Sequence, residues 1–399
     1  MQRRICKRNA FLGCVILVLL CEPGAGADGT GSLSGLQSLS AVSARDRRVS
    51  PVKIETDQSA VEKAVEEFVE IRAGEGRVQR WRGEIVNFSG TGLILRLSDG
   101  TEKHFPVERV VSYSPNSSSL YREANKRLAE GAVTEALGLF VRARTAESRE
   151  WRRREITADI VRCYHALGDY VRAGEEFVDR LVVLDPQSPF VWCVPLAWFP
   201  EETLALAEPR ARNWLNSDLA WVQLLAASYL LDSPAASQAV TVLDRLRSST
   251  DETMAILASA QLWRRGWQSV QPNQLSQWEN VIERLPGRLK SGPCYLLGLA
   301  WKQQGAFDRA MVWLLRPPFL WPENRRVAAR SLWEAAELAG KSPPSSSPDS
   351  AAGSDHQHEY QAIVKELVER FPESPWAAQV RAAIRSNSLE SGSPVRDGP

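Results

Sequence analysis

The side chains that carry most redox, metal and proton-transfer chemistry are scarce in this chain. Four histidines occur among 399 residues. His104 falls in a strand-like stretch. His356 and His358, two apart, supply two ligands, too few for a closed metal site. Of the cysteines, Cys6, Cys14 and Cys21 lie in the N-terminal 21 residues, while Cys163, Cys193 and Cys294 stand far apart with no C-x-x-C. That excludes a disulfide framework and a zinc site, and leaves buried structural thiols. No G-x-S-x-G, P-loop or H-E-x-x-H is present. The glycines of Gly74–Gly76 and Ser89–Gly92 open no helix after a strand, so they are turn glycines rather than a phosphate cradle. Carboxylate pairs such as Glu66–Glu67 and Glu175–Glu176 have no acid–base context and read as solvated faces. The chain is therefore expected to be no enzyme and to use no cofactor and no metal. Charge of one sign is lacking too. The formal net charge is +1, so no overall field steers the protein to nucleic acid or to an anionic membrane.

Long apolar runs are also missing. The longest N-terminal one, FLGCVILVLL, has ten residues, short of the roughly 20 that span a bilayer. It follows a basic stretch and precedes the small residues Ala25 and Ala27, the pattern of a secretory signal cleaved after Ala27. Residues 1–27 thus read as a signal peptide, with an uncleaved membrane anchor as the alternative. The expected location is periplasmic or secreted, with the membrane met only in transit. Residues 28–56, rich in Gly, Ser and Ala, read as a disordered linker, because they bury too little to offset chain entropy.

Residues 57–115 alternate with period two. Val69 and Ile71, then Leu93, Leu95 and Leu97, take one face opposite Ile94, Arg96 and Ser98. Asp99–Gly100 suits a tight hairpin, and Pro106 breaks the run before a last short strand. Four or five short strands with these turns resemble an SH3-like small antiparallel β-barrel. Such barrels bind peptides or nucleic acid in some families and serve only for packing in many; in an exported chain the expectation is a packing or protein-docking role, with no nucleic acid partner.

From about residue 116 the period becomes helical. In CYLLGLAWKQQGAFDRAMVWLLRPP, the residues Gly298, Trp301, Gly305, Phe307, Ala310 and Leu314 take the spacing of a helix–turn–helix unit. Small residues stand where its helices cross, and a glycine stands in its turn. Gly168, Tyr170, Ala173 and Phe177 repeat the pattern, as do Gly131, Ala136, Phe140 and Ala143. The stretches around Ala227, Ala239 and Leu243, and around Ala258, Trp278 and Ile282, read as degenerate units. The pattern resembles the tetratricopeptide repeat, a 34-residue unit. The fold class is thus expected to be mainly α, a tetratricopeptide-like α-solenoid of about six units over 116–385.

Two stretches depart from the repeat. Residues 186–203, PQSPFVWCVPLAWFPEET, are too Pro-rich for a helix and read as an irregular connection. Residues 341–358 are Ser/Pro-rich and read as a disordered insert. The tail 386–399 reads as disordered. The last helix pair, with Phe371–Pro372 and Ser374 before Trp376, resembles repeats of bacterial envelope assembly and Tol-Pal-associated proteins. That implies an envelope location.

The 14 tryptophans read as packing between helices, and the run ESREWRRRE as a helix start with surface arginines paired to Glu150 and Glu155. In tetratricopeptide families, first helices line a concave groove for an extended peptide. By phase, the resemblance transfers that role to Tyr121 and Asn125, with Leu128 beside them. It continues at Arg162 and His165, at Trp221 and Ser228, and at Lys302 and Gln303. The expected function is a non-catalytic scaffold that binds a protein or peptide partner of the envelope. The alternative is a cell-wall carbohydrate-binding or processing factor with a Trp-lined surface.

Overall fold

The computed structural model describes residues 67–200, 202, 204–341 and 352–390. The expected signal segment, the linker, the first ten residues of the β module, residues 342–351 of the insert and the last nine of the tail lie outside the described residues.

Among the described residues six strands come first: β1 Phe68–Arg72, β2 Val78–Arg82, β3 Glu84–Ser89, β4 Gly92–Arg96, β5 Glu102–Phe105 and β6 Val110–Ser114. They form two antiparallel three-stranded sheets, in the orders β2-β1-β6 and β3-β4-β5. The alternation decides the faces: Val69, Ile71, Leu93 and Leu95 are buried. Gly83 sits between β2 and β3, where an added Cβ would overlap the Arg96 carbonyl. The chain there passes from one sheet into the other. Gly100 turns the β4–β5 hairpin with φ 82°, and the Asp99 carboxylate accepts from the Thr101 N–H at 2.9 Å. The two sheets do not close into a barrel, which corrects the expectation of one.

Fourteen helices follow among the described residues and pack consecutively. They are α1 Ser119–Ala129, α2 Val133–Ala146, α3 Glu150–Ala166, α4 Tyr170–Phe177, α5 Glu208–Trp214, α6 Ala220–Leu230 and α7 Ala236–Leu246. Then come α8 Glu252–Gly266, α9 Pro272–Glu283, α10 Ser291–Gln303, α11 Phe307–Leu320, α12 Arg325–Lys341, α13 Ala352–Arg370 and α14 Pro375–Glu390. Helix α13 covers 352–358 and α14 covers 386–390, both expected to be unstructured. These stretches contain no proline, so nothing in them stops the helices they extend.

Three pairs, α1/α2, α3/α4 and α10/α11, share one turn. Gly131, Gly168 and Gly305 take φ 80°, 76° and 72°. In each, the glycine N–H donates three residues back and the next N–H five residues back: Ala132 to Arg127 (2.9 Å), Asp169 to Tyr164 (2.9 Å) and Ala306 to Trp301 (3.1 Å). This is the Schellman closure, which glycine enters without a Cβ penalty. Five residues on, Ala136, Ala173 and Ala310 are fully buried, and four further on Phe140, Phe177 and Leu314 fill the crossing. A Cβ on Gly298 would stand 2.7 Å from Leu314 Cγ, so that crossing needs glycine.

The β region and the helices belong to one compact unit. The indole of Trp151, at the start of α3, is buried and donates to the Ile85 carbonyl at 3.2 Å. Buried Glu67 accepts from the N–H of Ile85 (2.6 Å) and of Asn116 (2.7 Å) and from Arg149 (2.7 Å). Arg152 is buried as well, held by Glu155 and the Ser117 hydroxyl. The arginine run expected at the surface is therefore partly interior, where α3 meets the sheets and α1. The last helices also reach the first ones: Arg325 of α12 donates to the Leu128 carbonyl at 3.4 Å, and Pro372 packs against Gly131.

Candidate functional site

The first helices of the pairs, α3, α6, α8, α10 and α12, turn one face towards a common occupant. It is the chain's own connector between α4 and α5. Of this connector Phe190, Cys193, Val194, Leu196, Ala197 and Trp198 are buried. A buried loop must satisfy its backbone groups. Pro189, Pro195 and Pro200 lower the demand by having no N–H. The first helices meet the rest with side chains. The Ser228 hydroxyl accepts from the Ala197 N–H at 2.9 Å and donates to the Ala197 carbonyl at 3.4 Å. The buried His165 ring lies against the Leu196 backbone. The Arg264 guanidinium, buried, reaches the Phe199 carbonyl (3.2 Å), the Ser228 carbonyl (2.8 Å), Gln261 Oε1 (3.1 Å) and the Asp232 carboxylate (2.7 Å).

Aromatic contacts seat the rest. Trp198 lies flat over Gly292, where any Cβ would overlap the indole. Phe199 meets Tyr295 and Trp376 edge-to-face at 5.5 and 5.3 Å. Trp192 lies beneath Arg162 and Arg288. At the other end Phe190 stands edge-on to Phe88 of the sheet at 5.6 Å. Glu202, just past the connector's apolar part, pairs with Arg326 of α12 and accepts from the Tyr170 hydroxyl at 2.8 Å.

The electrostatics follow from this burial. Desolvation, with Arg326 nearby, pushes the His165 imidazole down to about 3, so it stands neutral. Burial pushes the Cys163 and Cys294 thiols up to about 12, and lifts Cys193 as well. The three cysteines are free, buried and protonated. Among the described residues no three His, Cys, Asp or Glu side chains come together to hold a metal ion, and no helix is long and apolar enough to cross a membrane.

Beyond Pro200 the occupied face opens into a cavity of about 350 Å³. Phe199, Trp267, Tyr295 and Leu299 form its apolar wall, with Lys302, Gln303, Arg330 and Glu334 at its polar side. Lys302 and Arg330 share the Glu334 carboxylate, each at 2.7 Å.

The sequence-derived groove residues divide accordingly. Lys302 and exposed Gln303 line the cavity. Arg162, His165 and Ser228 face the connector, and the last two are buried. Tyr121 sits apart, its hydroxyl donating to Asp159 at 2.8 Å under the Arg152 guanidinium. Asn125 is exposed and its amide donates back to the Tyr121 carbonyl at 2.9 Å. Trp221 packs half-buried against the core. Reading by repeat phase missed Arg264, Glu202, Arg326, Arg330 and Trp267. The available signal was the connector itself, since a loop as apolar as PFVWCVPLAWFP cannot lie in solvent and requires a lining.

None of the 14 tryptophans is exposed: each is buried or half-buried. Comparison with known proteins returns no matching family model, and no curated protein matches the chain.

Proposed function

We propose that the protein is a non-catalytic interaction scaffold that holds a protein partner by an extended segment, at the open end of the face its connector occupies. One observation carries this reading. The first helices hold an extended, apolar, proline-containing segment by side-chain bonds to its backbone, from Ser228 and Arg264. That is the chemistry by which a groove holds a peptide irrespective of its sequence. The connector's burial makes it a permanent occupant. Exposing Leu196, Trp198 and Phe190 costs on the order of 2 kcal/mol each, more than a weak partner repays. A partner segment therefore docks beside Phe199 and Pro200, against Trp267, Lys302, Gln303 and Arg330, rather than along the whole groove.

The finer features fit the same reading. The three glycine turns support tetratricopeptide-type units. The bend at Gly83 and the short 3-10 turn Val107–Arg109 before β6 support an SH3-like module, incompletely closed, with a packing role. Export to the periplasm or beyond rests on residues 1–27. Burial of tryptophan favours the scaffold over a carbohydrate-binding surface, which needs exposed rings.

The test is photo-crosslinking of the full-length protein in its native cells, with the reactive group at Gln303 and, as a control, at Asn125. A defined partner captured from Gln303, absent from Asn125 and lost with Lys302→Glu, supports the reading. Equal capture from both positions, or retention on cell-wall polysaccharide with no protein captured, overturns it.

A further inference from the structure

At the cavity beyond Pro200, two cations share one carboxylate. Its charged lining is Glu202, Lys302, Arg330 and Glu334. Glu202 is taken up by the Arg326 guanidinium and the Tyr170 hydroxyl. Glu334 on α12 serves both Lys302 and Arg330. Asp232, further in, holds Arg264. Among the described residues, Arg264, Arg326, Lys302 and Arg330 thus meet only Asp232, Glu202 and Glu334 in these ion pairs. The surplus positive charge lies at the open end. The side chains of Lys302 and Arg330 are 26% and 33% exposed, whereas Arg264 is 1% exposed. Arg330 Nε is buried with no acceptor among the described residues. The carbonyls that end α10 are already engaged: those of Ala300, Trp301 and Lys302 accept from the N–H groups of Gln304, Ala306 and Gly305.

We infer that the segment received here carries an acidic residue beside a bulky apolar one. Its carboxylate meets Lys302 and Arg330, and its apolar side chain lies on Trp267 and Leu299. This rests on the reading above that a partner segment docks at the cavity. The physical reason is desolvation. A segment that covers Lys302 and Arg330 takes both out of water, and one shared carboxylate leaves them under-compensated. A second carboxylate completes the pairing with charge-assisted hydrogen bonds. A neutral side chain leaves the surplus covered and unpaired, and a basic one adds repulsion. The wall of Phe199, Trp267, Tyr295 and Leu299 selects the apolar neighbour. At about 350 Å³ the cavity is at the small end of ligand pockets, which suits side chains of an extended segment rather than a folded element.

The experiment is selection of random short peptides on phage against the purified full-length protein. Calorimetry then compares synthetic enriched peptides with their Asp→Asn or Glu→Gln forms, and melting curves confirm that each protein variant folds. Enriched peptides are expected to pair Asp or Glu with Phe, Trp or Leu. The amide forms bind about tenfold more weakly. Lys302→Met abolishes this preference for acid over amide, and Glu334→Gln, which adds to the surplus, widens it. A merely structural role for either residue moves both peptide forms equally. Peptides that compete for the cavity without an acid preference overturn the inference and leave the docking reading standing. So does a preference that survives both Lys302→Met and Arg330→Met, or one that emerges only in Glu201→Gln, where the chain's own carboxylate is removed. Failure to enrich any peptide overturns the docking reading and this inference together.

Discussion

The pairs α1/α2, α3/α4 and α10/α11 and the stretch from α4 to α8 both bury apolar side chains, by different means. In the pairs, a turn glycine, a buried alanine and a large filler recur at constant spacing and close each crossing. In the middle, the spacing lapses. A coil lies where a groove is expected, and Ser228 and Arg264 compensate its backbone. A helix crossing is thus set by shape, because helices satisfy their own backbone, whereas a buried coil needs matched hydrogen bonds from outside, each costly to leave unmade.

The comparison can be broken most strongly at Arg264. Arg264→Met removes a buried cation bonded to four acceptors and leaves Asp232 without its partner. A loss of about 4 kcal/mol in urea unfolding is expected. Arg127→Met, which breaks only exposed ion pairs on α1, should hardly move the midpoint. Equal effects would show that the connector's polar lining is dispensable.

A smaller effect comes from pH. His165 has a folded value of about 3 against its ordinary 6.5. The unfolded chain therefore binds the proton first. The stability held by the neutral imidazole is complete above about pH 6.5, falls with pH, and is exhausted near pH 3. Between pH 7 and pH 5 the loss is about 2 kcal/mol. His165→Gln should lack this increment, so its stability difference between the two pH values, set beside wild type, isolates it. Parallel pH curves would mean the ring protonates within the fold.

The smallest effects sharpen the repeat side. Gly305→Ala adds a methyl into open space at φ 72°, so only the left-handed conformation is charged, about 1 kcal/mol. Gly131→Ala meets Pro372 Cγ at 2.8 Å as well and should cost measurably more in thermal melts. The ratio reads out how firmly the last helices sit on the first.

The repeat pairs were legible in the sequence because a left-handed turn and a close crossing each tolerate few residues. Gly131, Gly168 and Gly305 announce themselves for that reason, as do the alternating strands with Asp99–Gly100. The connector was legible only as a break. Its prolines deny a helix but say nothing of where the coil goes. Ser228 and His165, polar positions on apolar helices, read as facing a peptide, and they face one within the same chain. Arg152 read as exposed because Ser117 and Tyr121, 35 and 31 positions away, surround it only after folding. The barrel was over-read, since period two fixes which side chains turn inward and not whether the end strands meet.

The connector also sets an order of events at the ribosome. In a simple repeat array each unit is complete once its neighbour emerges. Here Trp198 awaits Gly292, and Phe199 awaits Trp376. At 5–20 residues per second the second wait lasts roughly 10–35 s. For that time an apolar, proline-bearing stretch has no native cover, which makes it the natural place for a chaperone to hold the nascent chain.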